Sequence, residues 1–255
     1  MAQRWPERLW IVRHGESAGN VARDAAYAAG VAVIDIADRD VDVPLSALGE
    51  RQSEALGAWF ASLPEHERPT VVLTSPFLRA RETVTIIART GGVARGAATV
   101  VDERLREKEF GVLDRLTKLG IEQRFPDQAA LRARIGKFYY RPPGGESWCD
   151  VILRLRSVLD TISLHHSQGS RVLVVAHQVI VLCLRYLLEE LTEAEILAID
   201  KAGDVANCAI TEYRFDPARG RDGSLVLARY NVTAPMEHEH TTVTAAPDRM
   251  VAARG

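Results

Sequence analysis

Cysteine is scarce in this 255-residue chain. Cys149, Cys183 and Cys208 are odd in number, far apart and without CxxC spacing, so neither a disulfide scaffold nor a zinc cluster is indicated and all three read as buried reduced thiols. Net charge is nearly absent, with 32 basic against 34 acidic side chains, which removes any general basis for binding nucleic acid or a membrane surface. Long hydrophobic runs are missing too. The longest, Val172 to Leu184, is broken by His177 and Gln178 and falls short of the ~20 residues that cross a bilayer. Met1 to Arg8 carries charges and no apolar signal-peptide core, as expected of a cytoplasmic protein. Without a GxxxxGK[ST] motif, no nucleotide-binding kinase domain is expected.

What is present suits one core: 47% of the residues are hydrophobic. Leu9 to Val12, Thr70 to Leu73, Thr99 to Val101 and Val172 to Val175 are short apolar runs of the kind found in central strands covered on both faces. Between them, Leu48 to Leu63, Phe77 to Arg89, Trp148 to Leu164 and Val179 to Leu188 have helical spacing. The β-α alternation predicts a three-layer α/β/α sandwich around a mostly parallel sheet. Cys208 to Phe215 and Leu225 to Tyr230 flank a Gly- and Asp-rich turn and read as an antiparallel hairpin at a sheet edge. Residues 21–43 form a long connection read as a lid or rim. From Ala234 the pattern stops, so residues 1–233 are taken as one domain and 234–255 as a mobile tail. Glu237-His238-Glu239-His240 within it reads as solvated charge, and no metal or cofactor is assigned.

Four segments carry chemistry. Arg13 and His14 follow the first strand, at the carboxyl edge where open α/β sheets place ligands, and Gly15 lets backbone approach a bound group. Ser75-Pro76 opens a helix after the second strand, with Ser75 expected as its N-cap and Arg79 one turn in. His177 ends the buried strand 172–175. Glu107 follows the third strand, where a carboxyl group can serve as acid and base in phosphoryl transfer. Two histidines and two arginines at strand ends call for an anion. Residues 103–143 add ten basic against six acidic side chains, which favours a small anionic molecule.

Together with Asn20, Pro44-Leu45-Ser46, Phe110-Gly111 and Gly145-Glu146-Ser147, these residues resemble the histidine phosphatase superfamily, the phosphoglycerate-mutase-like group. The resemblance runs in order over about residues 8–232. It implies a phosphoglycerate mutase-like fold and a phosphoric monoester hydrolase of the histidine acid type, with His14 as the phosphohistidine nucleophile. Arg13, Arg79 and His177 would bind the phosphoryl oxygens, Glu107 would donate the proton and Asn20 and Ser46 would line the pocket. Gln178 and Arg141 match residues near the sugar phosphate in the fructose-2,6-bisphosphatase branch. That branch has other residues where Lys118, Gly144 and Leu182 stand, so a different phosphomonoester is expected. The implied partner is a small phosphorylated substrate, and a homodimer is compatible with this reading. A phosphoglycerate mutase is the nearest alternative, although Glu107-Lys108-Glu109-Phe110-Gly111 departs from its usual Glu-Arg-His-Tyr-Gly. A non-catalytic phospho-ligand binding protein is a third.

Overall fold

The computed structural model describes residues 4–167 and 169–245. In chain order the elements are β1 (Arg8–Arg13), α1 (Ala18–Ala28), α2 (Ala47–Ala61), β2 (Val71–Thr74), α3 (Leu78–Arg89), β3 (Ala98–Val101), α4 (Lys118–Arg124), α5 (Pro126–Ile135), α6 (Trp148–His165), β4 (Arg171–Ala176), α7 (Gln178–Leu188), α8 (Glu193–Ala202), β5 (Ile210–Asp216), β6 (Ser224–Val232) and α9 (Ala234–His238). They build a six-stranded sheet in the order β3-β2-β4-β1-β5-β6. β1 to β4 run parallel, while β5 pairs antiparallel with β1 and β6 antiparallel with β5.

Strand side chains alternate between two apolar layers, as the pleat requires. Leu9, Ile11, Val172 and Val174 face α6 and α7. Trp10, Val12, Leu173 and Val175 face α2 and α3, where Trp10 meets Phe60 edge-on with ring centroids 5.4 Å apart. The predicted three-layer α/β sandwich is therefore the observed fold. β3 is the exception to the expectation for its strands: all four residues are exposed, because it lies at the sheet edge with a single neighbour.

Residues 21–43, read as a long connection, hold most of α1 (Ala18–Ala28), and a short 3-10 turn, Asp40–Asp42, closes the segment. One further expectation changes. The expected mobile tail is held by hydrogen bonds as far as Thr244. Met236 of α9 is fully buried against the Trp10 layer, so an apolar anchor holds a segment whose surroundings are polar. Residues 246–255 lie outside the described residues.

If Met236 anchors the tail, Met236→Ala removes a buried side chain and destabilises the protein by about 2–3 kcal/mol in urea unfolding. A free tail would give a change near zero.

Candidate active site

β1, β2 and β4 end together: Arg13 stands beside Ala176 and Thr74 beside Val175 in the register. The next residue of each strand, His14, Ser75 and His177, therefore emerges at one edge. All three are completely buried. His14 Nδ1 lies 2.6 Å from the Gly15 carbonyl and Nε2 lies 3.2 Å from Arg79 Nε. A carbonyl oxygen only accepts and a guanidinium N–H only donates, so Nδ1 carries the hydrogen and Nε2 presents a lone pair. This pairing makes the imidazole neutral.

The loop that holds this ring is tied on every side. Gly15 N–H donates to Thr83 Oγ1 (3.1 Å), Glu16 N–H to Gln52 Oε1 (2.8 Å), and Asn207 Nδ2 to the His14 carbonyl (2.9 Å). Gln52 Nε2 donates in turn to the Thr242 carbonyl and Thr244 Oγ1, and Asn207 Oδ1 accepts from Thr244 Oγ1. A Cβ on Gly15 would stand 2.4 Å from the Gly49 carbonyl oxygen, which explains the glycine.

His177 joins His14 with ring centroids 5.1 Å apart and packs on Phe77 at 5.0 Å. Its Nε2 is 2.8 Å from Ser75 Oγ. Ser75 is thus not the helix cap expected from the sequence: α3 begins at Leu78 with Phe77 as N-cap, leaving the serine hydroxyl to orient His177. Arg79 is almost fully buried; its Nη1 donates to the Asp40 carbonyl (2.6 Å) and lies 3.2 Å from the Asp40 carboxylate. Arg13 is fully buried, with Nη1 2.6 Å from the Val205 carbonyl. Glu107 is buried and accepts from the Lys108 N–H at 2.7 Å.

His14, His177 and Arg79 are brought together as the sequence predicts. The expected substrate contacts have structural partners. Asn20 forms a capping box with Ser17 at the start of α1, and Ser46 caps α2 while donating to Glu16 Oε1 at 2.7 Å. Gln178, the first residue of α7, donates to Asp204 at 2.9 Å. Arg141 is largely exposed and paired with Asp150 at the α6 terminus. The basic surplus of residues 103–143 is matched by carboxylates outside the segment: Arg104 by Asp102, Arg106 by Glu146, Lys137 by Asp200 and Arg141 by Asp150.

Sequence reasoning missed Asp40, Gln52, Asn207 and Ser75's role, since none stands in a motif that marks its partner. It also passed over Lys108, which is 4% exposed. Among the described residues its ammonium has no hydrogen bond or ion pair, lying 4.3 Å from the Phe110 ring centroid. Burial pushes this lysine down to about 8, against the pull of Glu107 and Glu146. Among the described residues no group of three or more His, Cys, Asp or Glu side chains is placed to hold a metal, and no helix is long and apolar enough to cross a membrane.

A family model, the histidine phosphatase superfamily (branch 1), matches residues 9–225. A Yersinia enterocolitica protein named "Probable phosphoglycerate mutase GpmB" is 32% identical over 179 residues, 69% of this chain and 72% of its own. A Gallus gallus 6-phosphofructo-2-kinase/fructose-2,6-bisphosphatase is 30% identical over 189 residues, 74% of this chain but only 34% of that longer one. Among solved structures, a mycobacterial glucosyl-3-phosphoglycerate phosphatase superposes with a TM-score of 0.67 at 26% identity, covering 89% of this chain and 99% of the other.

The depressed Lys108 carries a pH signature. Below pH 8 both folded and unfolded chains hold its proton, and the folded state bears the full cost of a buried ammonium, about 3 kcal/mol. Between pH 8 and 10.5 the folded state gives up the proton first, so wild-type stability rises. Lys108→Met is expected to raise unfolding free energy by about 3 kcal/mol at pH 7 and by about 1 kcal/mol at pH 9.5 in urea titrations.

Proposed function

The chain belongs to the histidine phosphatase superfamily, and we propose that it hydrolyses a small phosphomonoester through a phosphohistidine on Nε2 of His14. One observation carries the reading: a buried neutral imidazole whose Nε2 lone pair faces the Arg79 guanidinium 3.2 Å away, the position an anion would take up. In the first step Nε2 attacks phosphorus, an N–P bond forms and the ester P–O bond breaks. Arg13, Arg79 and His177 stabilise charge on the phosphoryl oxygens, a task that metal ions share in many phosphoryl-transfer enzymes. Glu107 protonates the departing alcohol and then takes a proton from the water that cleaves the N–P bond, restoring both groups.

The carbonyl of Gly15 matters as much as the nucleophile. As Nε2 bonds to phosphorus, the ring gains positive charge, and the 2.6 Å hydrogen bond from Nδ1 to that carbonyl strengthens with it. Asn20 and Gln178, buried at the first turns of α1 and α7, fit the lining of the substrate pocket.

A mutase is the second reading, favoured by the relative from Yersinia. It differs in one step: the phosphohistidine passes its group to a second hydroxyl instead of to water.

With radiolabelled phosphomonoesters, wild type should acquire an acid-labile, alkali-stable label and release phosphate, and His14→Ala should do neither. Label on the alanine variant would exclude the assignment, and transfer between hydroxyls of phosphoglycerate would select the mutase. Glu107→Gln is expected to lower turnover by roughly 10²–10⁴, and Arg79→Ala by roughly 10²–10³.

A further inference from the structure

Across Asp40 from Arg79 lies an apolar pocket that the catalytic steps do not use. It is open to solvent on one side, and its walls carry Ile34, Ile36, Val43, Phe110, Leu113 and Leu116. Residues 32–34 and 115–117 bind each other as a small ladder: Ile34 N–H donates to the Arg115 carbonyl at 2.8 Å and Thr117 N–H to the Ala32 carbonyl at 3.1 Å. Arg115 then crosses between the walls, giving Nη1 to the Ile36 carbonyl (2.9 Å) and Nη2 to that of Asp38 (2.8 Å). The pocket is therefore built before any ligand arrives.

Its place and charge define what it takes. Asp40 belongs both to this pocket and to the Arg79 guanidinium, so the apolar space adjoins the group that would hold the phosphoryl oxygens. Phe110 in its wall is three residues beyond Glu107. The other charged groups on the rim are Asp38 and Asp114, and the single cation, Arg115, already donates to two carbonyls. Lys108 does not line it. A second anionic group would meet carboxylates there, whereas hydrocarbon would be removed from water.

We infer that this pocket receives the alcohol portion of the substrate and selects a hydrocarbon-rich, uncharged or cationic group over one bearing a second anion. The inference rests on the phosphomonoesterase reading for the word substrate, and its test separates the two.

Calorimetry with 1-naphthylmethylphosphonate and methylphosphonate reads the pocket without requiring turnover. Wild type is expected to bind the naphthyl ligand at least about tenfold more tightly. Ile36 is half-buried, so Ile36→Asp places charge in the wall and should lower naphthyl affinity at least about tenfold more than methyl affinity. Gly19→Leu gives a second route: a Cβ there has ordinary contacts, 3.4 Å to Val43 and 3.8 Å to Ile36, and the longer side chain fills the floor. Equal affinities in wild type, or a preference that survives both variants, would overturn the inference; binding of neither ligand would overturn it together with the phosphatase reading. Naphthyl preference with no hydrolysis of 1-naphthyl phosphate or glycerol 3-phosphate would retire the phosphatase reading alone.

Discussion

A single hydrogen bond, from His14 Nδ1 to the Gly15 carbonyl, decides what the rest of this molecule can do. It selects one tautomer, and with it the nitrogen that faces Arg79. Reversing that carbonyl would turn the ring's N–H toward the arginine, where two donors would confront each other. The surrounding structure keeps it in place: Thr83, Gln52 and Asn207 hold the loop from three elements, and the close approach of Gly15 to Gly49 leaves no room for a side chain. Sheet order, helix starts and the C-terminal segment all converge on the orientation of one peptide group.

The charge of Arg79 is balanced from within the chain. Arg79 is nearly inaccessible to solvent, and in this conformation the Asp40 carboxylate supplies its countercharge. An uncompensated buried guanidinium would be costly. On the proposed reading a phosphoryl group would meet a guanidinium already paired with Asp40, so binding would exchange one anionic partner for another and gain less than the bare attraction between arginine and phosphate.

Which features could be read in advance follows from their physical range. β1, β2 and β4 were legible because burial on both faces leaves an uninterrupted apolar run, and the residues that follow them inherit the sheet edge. Thr99 to Val101 has the same local pattern although β3 is exposed, since β-branched residues record strand conformation and not the number of neighbours. Met236 gave no periodic signal because one anchoring residue has no period. Ser75 was assigned to a helix cap by its spacing from Pro76, while its partner lies 102 residues away. Asp40, Gln52 and Asn207 act through pairings that arise only after the layers assemble, and the local surplus of basic residues was misleading because its carboxylate partners include Glu146, Asp150 and Asp200 from beyond the segment.

The grip of Thr242 and Thr244 on Gln52 and Asn207 also imposes a timetable during biosynthesis. His14 precedes Thr242 by 228 residues, so the partners of the side chains around its loop are made long after it. At roughly 5–20 residues per second, some 10–50 s separate the two on the ribosome. A nascent chain therefore bears His14 long before it bears the hydroxyl of Thr244, which bonds both Gln52 and Asn207, the two side chains that hold its loop.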